Sequence, residues 1–258
     1  MTAAPTPTRR RWTRTYLPTQ HGAWAMLLVP FVLGSAASSF GWWSLPLLTA
    51  WLSAYLVSYY AFQGLKARRW VRYRAPLQLY GAVLVVSAVA LVVYRPWVVA
   101  TAALFVPFTA VNAWYARHRW DRYWLNGVVS VTQACLMVLV AYALGLGLRL
   151  ADLEGGSVDW STPAQLYAAA WLYFTGTVFF VKTMIREAGD SSYYRASVGF
   201  HVAALLLAGL LDVWLMAPFA LYLLRAVTLP HRSLRPAQVG VVEIVNSMLL
   251  VVVSLVVV

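Results

Sequence analysis

Apolar residues run along this chain in long blocks, with the polar residues gathered between them. The blocks fall at roughly 22–38, 42–63, 76–94, 97–115, 124–147, 164–183, 196–211, 214–228 and 239–257. Each is near the ~20 residues that a helix needs to cross a bilayer. Residues 196–228 are one apolar stretch broken by Asp212. As a single helix it would be about 50 Å long, too long for a ~30 Å hydrocarbon core. A split at Asp212 predicts two short spans joined by a tight turn. The pattern therefore predicts an all-α polytopic membrane protein with nine transmembrane helices. A single helical domain fills 16–258, after a disordered basic tail at 1–15 rich in Thr, Pro and Arg.

Charge tests that split. With the N-terminus in the cytoplasm, inner segments hold Arg9, Arg10, Arg11 and Arg14, then Lys66 to Arg74, then Arg117 to Arg122. Lys182, Arg186 and Arg195 follow, and then Arg225, Arg232 and Arg235. Only Arg95 and Arg149 are left outside, with Asp152, Glu154, Asp159 and Asp212. This is the positive-inside pattern, and it puts the C-terminus outside. One merged helix at 196–228 would reverse the last loop. The opening "TRRRWTRTYL" and the later "GSAASS" also imitate a secretory signal, but eight further spans favour a retained first helix.

Composition agrees. The chain is 62% hydrophobic and 11% charged, which excludes a soluble domain of this size. Many of its 13 Trp and 15 Tyr stand near block ends, as interfacial belts require. The net charge of +12 sits in inter-span clusters, so it reads as topology rather than nucleic-acid binding. Cys135 is the single cysteine, which excludes a disulfide framework within one chain. No nucleotide loop, zinc spacing or catalytic triad is present, and no cofactor or metal is expected.

Polar side chains inside the blocks are the candidate chemistry, because hydrocarbon makes them costly unless paired. They gather near the inner ends. Gln20 and His21 open the first span, Gln63 and Lys66 close the second, and Asn112 and Asn126 flank the loop between the fourth and fifth. Thr175, Lys182 and Arg186 share one face of the sixth. His201 lies in the seventh, and Glu243 and Asn246 share a face of the ninth. Together they predict a cavity open to the cytoplasm, with a cationic floor suited to a phosphate, diphosphate or carboxylate head group. The plain alternatives are lipid-phosphate contacts for Arg68, Arg69 and Arg72, and snorkelling for Lys182 and Arg186. The chain's two lysines, Lys66 and Lys182, end the second and sixth spans. "YRAPLQLYGAVL" (73–84) and "YRASVGFHVAAL" (194–205) are alike, and Tyr80 falls opposite His201. This suggests parallel repeats with a site between them.

"PTQHGAWAMLLVPFVLG" (18–34), "DRYWLNGVV" (121–129) and "VKTMIREAGDSSYYRASVGFH" (181–201) resemble the YwiC-like family of bacterial integral membrane proteins. That likeness implies a multi-pass protein of the bacterial plasma membrane. A looser likeness is to the UbiA-type membrane prenyltransferases, which have nine helices and functional loops after the second and sixth. That likeness implies a similar helical shell. Those enzymes carry Asp-rich motifs there; this chain reads "SYYAFQGLKARRW" (58–70) and "KTMIREAGD" (182–190) instead. Three functions follow as expectations. One is binding, with or without transformation, of an anionic or isoprenoid-type lipid. The second is transport of a small anion, and the third is an accessory role in a membrane complex.

Overall fold

A computed structural model describes residues 16–18, 21–148, 152, 156, 158–232 and 234–257. The expected basic tail and Gln20 lie outside the described residues. The α-helices are α1 (His21–Ala37), α2 (Ser44–Ala67), α3 (Arg74–Tyr94), α4 (Val98–Arg117), α5 (Trp124–Cys135) and α6 (Met137–Gly145). They continue with α7 (Ser161–Ile185), α8 (Ser191–Leu211), α9 (Met216–Thr228) and α10 (Pro236–Val257). Among the described residues there is no strand. Helices are the expected solution for a single apolar segment in lipid, since each satisfies its own backbone.

Among the described residues, seven segments are long and apolar enough to cross a membrane. One of them, Trp124–Gly145, is the α5–α6 rod, which carries a single turn at Leu136. The first span appears as the shorter apolar helix Gly22–Ala37, and the fourth as α4, a 20-residue helix with Pro107 inside it. The expected break at Asp212 is present. Its backbone is extended, its carboxylate accepts from the Trp214 amide, and α9 starts four residues on. Asp190 caps α8 in the same way, accepting from the amides of Ser192 and Tyr193. Asp159 accepts from the Ser161 amide at the start of α7. Hydrogen bonds from the Ser161 side chain and backbone hold its carboxyl below the ordinary range.

The rods are enclosed to different degrees. About half of the apolar windows of α5–α6 and α7 is buried (56% and 50%), against 11% for the segment containing α3. So α5–α6 and α7 form the centre, while α3 lies at the edge with its valines facing outward. Helix α1 also runs through the middle, packing on α5, α6, α7 and α10. Its approach to α6 is close. A Cβ on Gly34 would fall on the carbonyl oxygen of Val138. Small residues permit such contacts between membrane helices, where dispersion replaces the hydrophobic drive.

Side-chain contacts tie the cationic segments to one end of the bundle. Lys66 at the end of α2 meets Asp121 in the α4–α5 loop. Lys182 near the end of α7 donates to the Arg122 carbonyl at 2.6 Å. Tyr194 at the start of α8 meets His231 after α9. Tyr80 stacks on Tyr60 of α2, centroids 6.0 Å apart, and His201 lies against Gly176 of α7.

Candidate functional site

Extending inward from that cationic end, α1, α2, α4 and α5 line an open cavity of about 490 Å3. One face of α2 supplies Trp51, Ala54, Tyr55, Tyr59, Phe62, Gln63 and Lys66. Their three- and four-residue steps are those of a single helical stripe. Helix α4 supplies Ala102, Phe105, Thr109, Asn112 and Ala116 on the same principle, and α5 supplies Asn126, Ser130 and Gln133. Trp51 is fixed by donating its ring N–H to the Leu27 carbonyl of α1.

The α4 and α5 stripes meet in a row of hydrogen bonds. Ser130 donates to Asn112 Oδ1 at 2.9 Å, and Asn112 Nδ2 donates to Gln133 Oε1 at 3.0 Å. Gln133 Nε2 donates to Thr109 Oγ1 at 2.7 Å, and that hydroxyl donates to the Phe105 carbonyl. Below the row, Asn126 Nδ2 donates to the Asp121 carbonyl, while its Oδ1 is buried without a partner among the described residues. The Tyr55 hydroxyl is a second such atom on the facing wall. The cavity lining is thus mixed: amides and hydroxyls prevail on α4 and α5 beside Phe105, and aromatic rings prevail on α2 beside Gln63 and Lys66.

The mouth is held by charge. Lys66 Nζ pairs with Asp121 Oδ2 at 2.7 Å, each side chain about one-third exposed (32% and 33%). Lys182 grips the neighbouring residue of the same loop through the Arg122 carbonyl. The chain's two lysines therefore close on one loop from two helices. Arg119 in that loop and Arg68 after α2 adopt positive φ, 61° and 51°, a strained choice for a residue with a Cβ. Arg68, Trp70, Leu65 and Arg117 line a separate hollow of about 370 Å3.

A second polar centre joins α7, α8, α9 and α10 inside the bundle. Arg225 Nη1 donates to Glu243 Oε1 at 2.5 Å, and both side chains are nearly enclosed. Thr177 donates to Glu243 Oε2 at 2.7 Å, and the Tyr173 hydroxyl donates to the Glu243 carbonyl. His201 donates from Nδ1 to the Ser197 carbonyl at 2.7 Å. A carbonyl can only accept, so Nδ1 carries a proton. Nε2 is then the acceptor that faces Arg225 Nη2 at 3.4 Å. The guanidinium also lies over the Phe180 ring, 4.5 Å from its centroid.

The expected residues divide between these places. Gln63, Lys66 and Asn126 line the cavity. His201 and Glu243 meet through Arg225. Asn246 is half-buried, and its carbonyl accepts from the Tyr222 hydroxyl. Arg186 is exposed, and Lys182 holds the loop at the mouth. His21 begins α1, and its side chain lies outside the described residues. Arg225, Gln133, Tyr55 and Asp121 were not singled out from sequence. Gln133 carried a visible signal, a glutamine in the middle of an apolar block. Among the described residues no three His, Cys, Asp or Glu side chains gather as a metal site would need.

The family model for YwiC-like proteins matches residues 17–142, which include α1 to α5 and most of the cavity wall. The chain is 30% identical over 235 residues to YwiC of Bacillus subtilis, an uncharacterised protein, covering 91% of this chain and 94% of the relative. It is 30% identical over 225 residues to an uncharacterised protein of Haemophilus influenzae, covering 87% and 90%. No solved structure matches. By the extent and identity of these matches, the chain belongs to the YwiC-like family.

Proposed function

We propose that this chain binds an anionic or isoprenoid-type lipid in the cavity between α1, α2, α4 and α5. The observation that carries the reading is the cavity's mixed lining, with apolar surface from Trp51, Phe62 and Phe105 and polar groups from Gln63, Lys66 and Asn126. An amphiphile matches both: its tail covers Trp51, Phe62 and Phe105, and its polar end reaches Gln63, Lys66 and Asn126. Binding sites commonly combine an apolar wall with a few placed polar groups. Lys66 and Lys182 end the helices whose following loops do the chemistry in UbiA-type enzymes. The Asp-rich motifs of those enzymes are missing from this sequence, so we assign binding and no diphosphate ionisation. In this reading Arg225, Glu243, His201 and Asn246 hold the four later helices to one another, apart from the cavity, and Arg186 meets the lipid surface.

A bulky residue in the cavity tests this. In Ala54→Trp, the lipid that co-purifies with the detergent-extracted chain should fall at least about tenfold by mass spectrometry, since the indole fills the space. Retention of the same lipid would sink the reading. An anion transporter is the second reading, because ionisable groups inside a membrane often line ion paths, and Arg225 and Glu243 are such groups. It requires anion flux into proteoliposomes that stops in Glu243→Gln. A chain that tolerates both substitutions yet co-purifies with a partner would instead be an accessory subunit.

We further propose that the cationic end faces the cytoplasm of a bacterial plasma membrane, with nine spans and the C-terminus outside, because the charge pattern follows the positive-inside rule. Alkaline phosphatase fused after Val258 should then be active and a fluorescent protein there dark. The reverse pair of results would contradict this topology.

A further inference from the structure

We infer that the open hollow between the ends of α2 and α4 is a phosphate site, in which Arg68 and Arg117 take the phosphate of an anionic membrane lipid. The site is separate from the cavity, and it stands whether or not the cavity binds lipid.

Charge is the first argument. Segments 64–74 and 115–124 hold eight lysines and arginines and one acid, Asp121. That carboxylate is taken by Lys66 at 2.7 Å. Among the described residues the other ion pair joins Arg225 to Glu243 inside the bundle, so neither Arg68 nor Arg117 pairs with a carboxylate. Both are exposed, and both line one hollow of about 370 Å3 with Leu65 and Trp70. Two guanidinium groups on one hollow, with no acid between them, favour an anion. Their forked N–H groups suit phosphate oxygens better than a lysine's point charge does.

The frame of the hollow is the second argument. Arg68 ends α2 with φ 51° and ψ 32°, the left-handed conformation for which glycine is the ordinary choice. The chain thus keeps a long cationic side chain where its backbone is strained. Covering the helix end does not require that cation, because Arg119 donates to the Lys66 carbonyl in the last turn of α2 at 3.5 Å. Trp70 is held in place: its ring lies against Gly64, where an added Cβ would stand 2.7 Å from a ring carbon. The indole is half exposed, and tryptophan is at home at the head-group level of a bilayer. An indole and Leu65 beside two guanidinium groups match the junction of lipid phosphate and acyl chain. A free phosphate ion would make no use of that apolar wall, so the lipid is the source.

Native mass spectrometry of the full-length chain, in detergent with equal amounts of phosphatidylglycerol and phosphatidylcholine of the same acyl chains, tests the site. The wild type should retain phosphatidylglycerol by about tenfold over phosphatidylcholine, the scale of a charge-assisted hydrogen bond. Arg68→Gln with Arg117→Gln should abolish that preference. Arg72→Gln with Arg74→Gln removes the same charge outside the hollow and should keep it. Arg68→Gly should lower the preference at least about threefold while raising the unfolding temperature, because glycine takes the left-handed backbone without strain. No preference in the wild type, or equal loss in the Arg72 and Arg74 pair, would overturn the inference in favour of a general basic surface. Displacement of the lipid by millimolar inorganic phosphate would overturn the lipid as the source. Ala54→Trp should leave the preference unchanged; its loss there would assign the anionic lipid to the cavity and overturn this site while leaving the cavity reading intact.

Discussion

Glu243→Ala is expected to destabilise the folded chain by about 3–5 kcal/mol, the usual cost of stranding one member of a buried ion pair. The carboxylate is held by Arg225 at 2.5 Å and Thr177 at 2.7 Å, and it is almost fully enclosed. Its removal leaves a guanidinium among Phe180, Tyr173 and Tyr222, with His201 Nε2 as a long second partner. None of these can neutralise the charge. Removing both charges is different, because the desolvation cost disappears with them. The double variant Arg225→Met, Glu243→Leu should recover most of the lost stability. Thermal unfolding in detergent, followed by tryptophan fluorescence, measures both. A single substitution costing less than about 1 kcal/mol would show that the pair is hydrated and contributes little.

Gly34→Val carries the next largest effect, a loss of about 3 kcal/mol from overpacking. The obstacle at Gly34 is the Val138 backbone, with Ala141 beside it, and backbone cannot rotate aside as a side chain can. Helix α1 would have to leave α6, and with it the wall that Met26 and Leu27 give to the cavity. Gly199 on α8 is the control: nothing lies within 4 Å of an added Cβ. Gly199→Ala should be neutral or stabilise by up to about 1 kcal/mol through helix propensity. Equal effects at both positions, in the same unfolding assay, would mean that the close approach of α1 and α6 is not what holds them.

Some of this architecture is legible in the residues. The long apolar blocks and the lone Asp212 locate the rods and the break between α8 and α9, because length against bilayer thickness leaves few choices. Glu243 is marked as needing a partner by its cost in hydrocarbon. The identity of that partner is not marked. Arg225 reads as one more inner-loop cation, yet it lies in the last turn of α9 with its guanidinium turned into the bundle. A charge at a helix end has two options, snorkelling outward or pairing inward, and sequence alone does not choose between them. The cavity is less legible still. Its lining combines stripes from α2, α4 and α5, with Lys66 and Asn126 sixty residues apart, and only packing brings them together. The two lysines hint at a shared role through their positions, but their shared target, the loop holding Asp121 and Arg122, follows from the fold.

The most direct test of the account is an experimental map of the full chain in lipid nanodiscs, at a resolution that shows bound lipid. It should show elongated density between α2 and α4, lying along Trp51 and Phe105 and ending beside Asn126. A cavity containing water alone, with ordered lipid confined to the outer faces of α3 and α4, would contradict the proposal that this space is a lipid site.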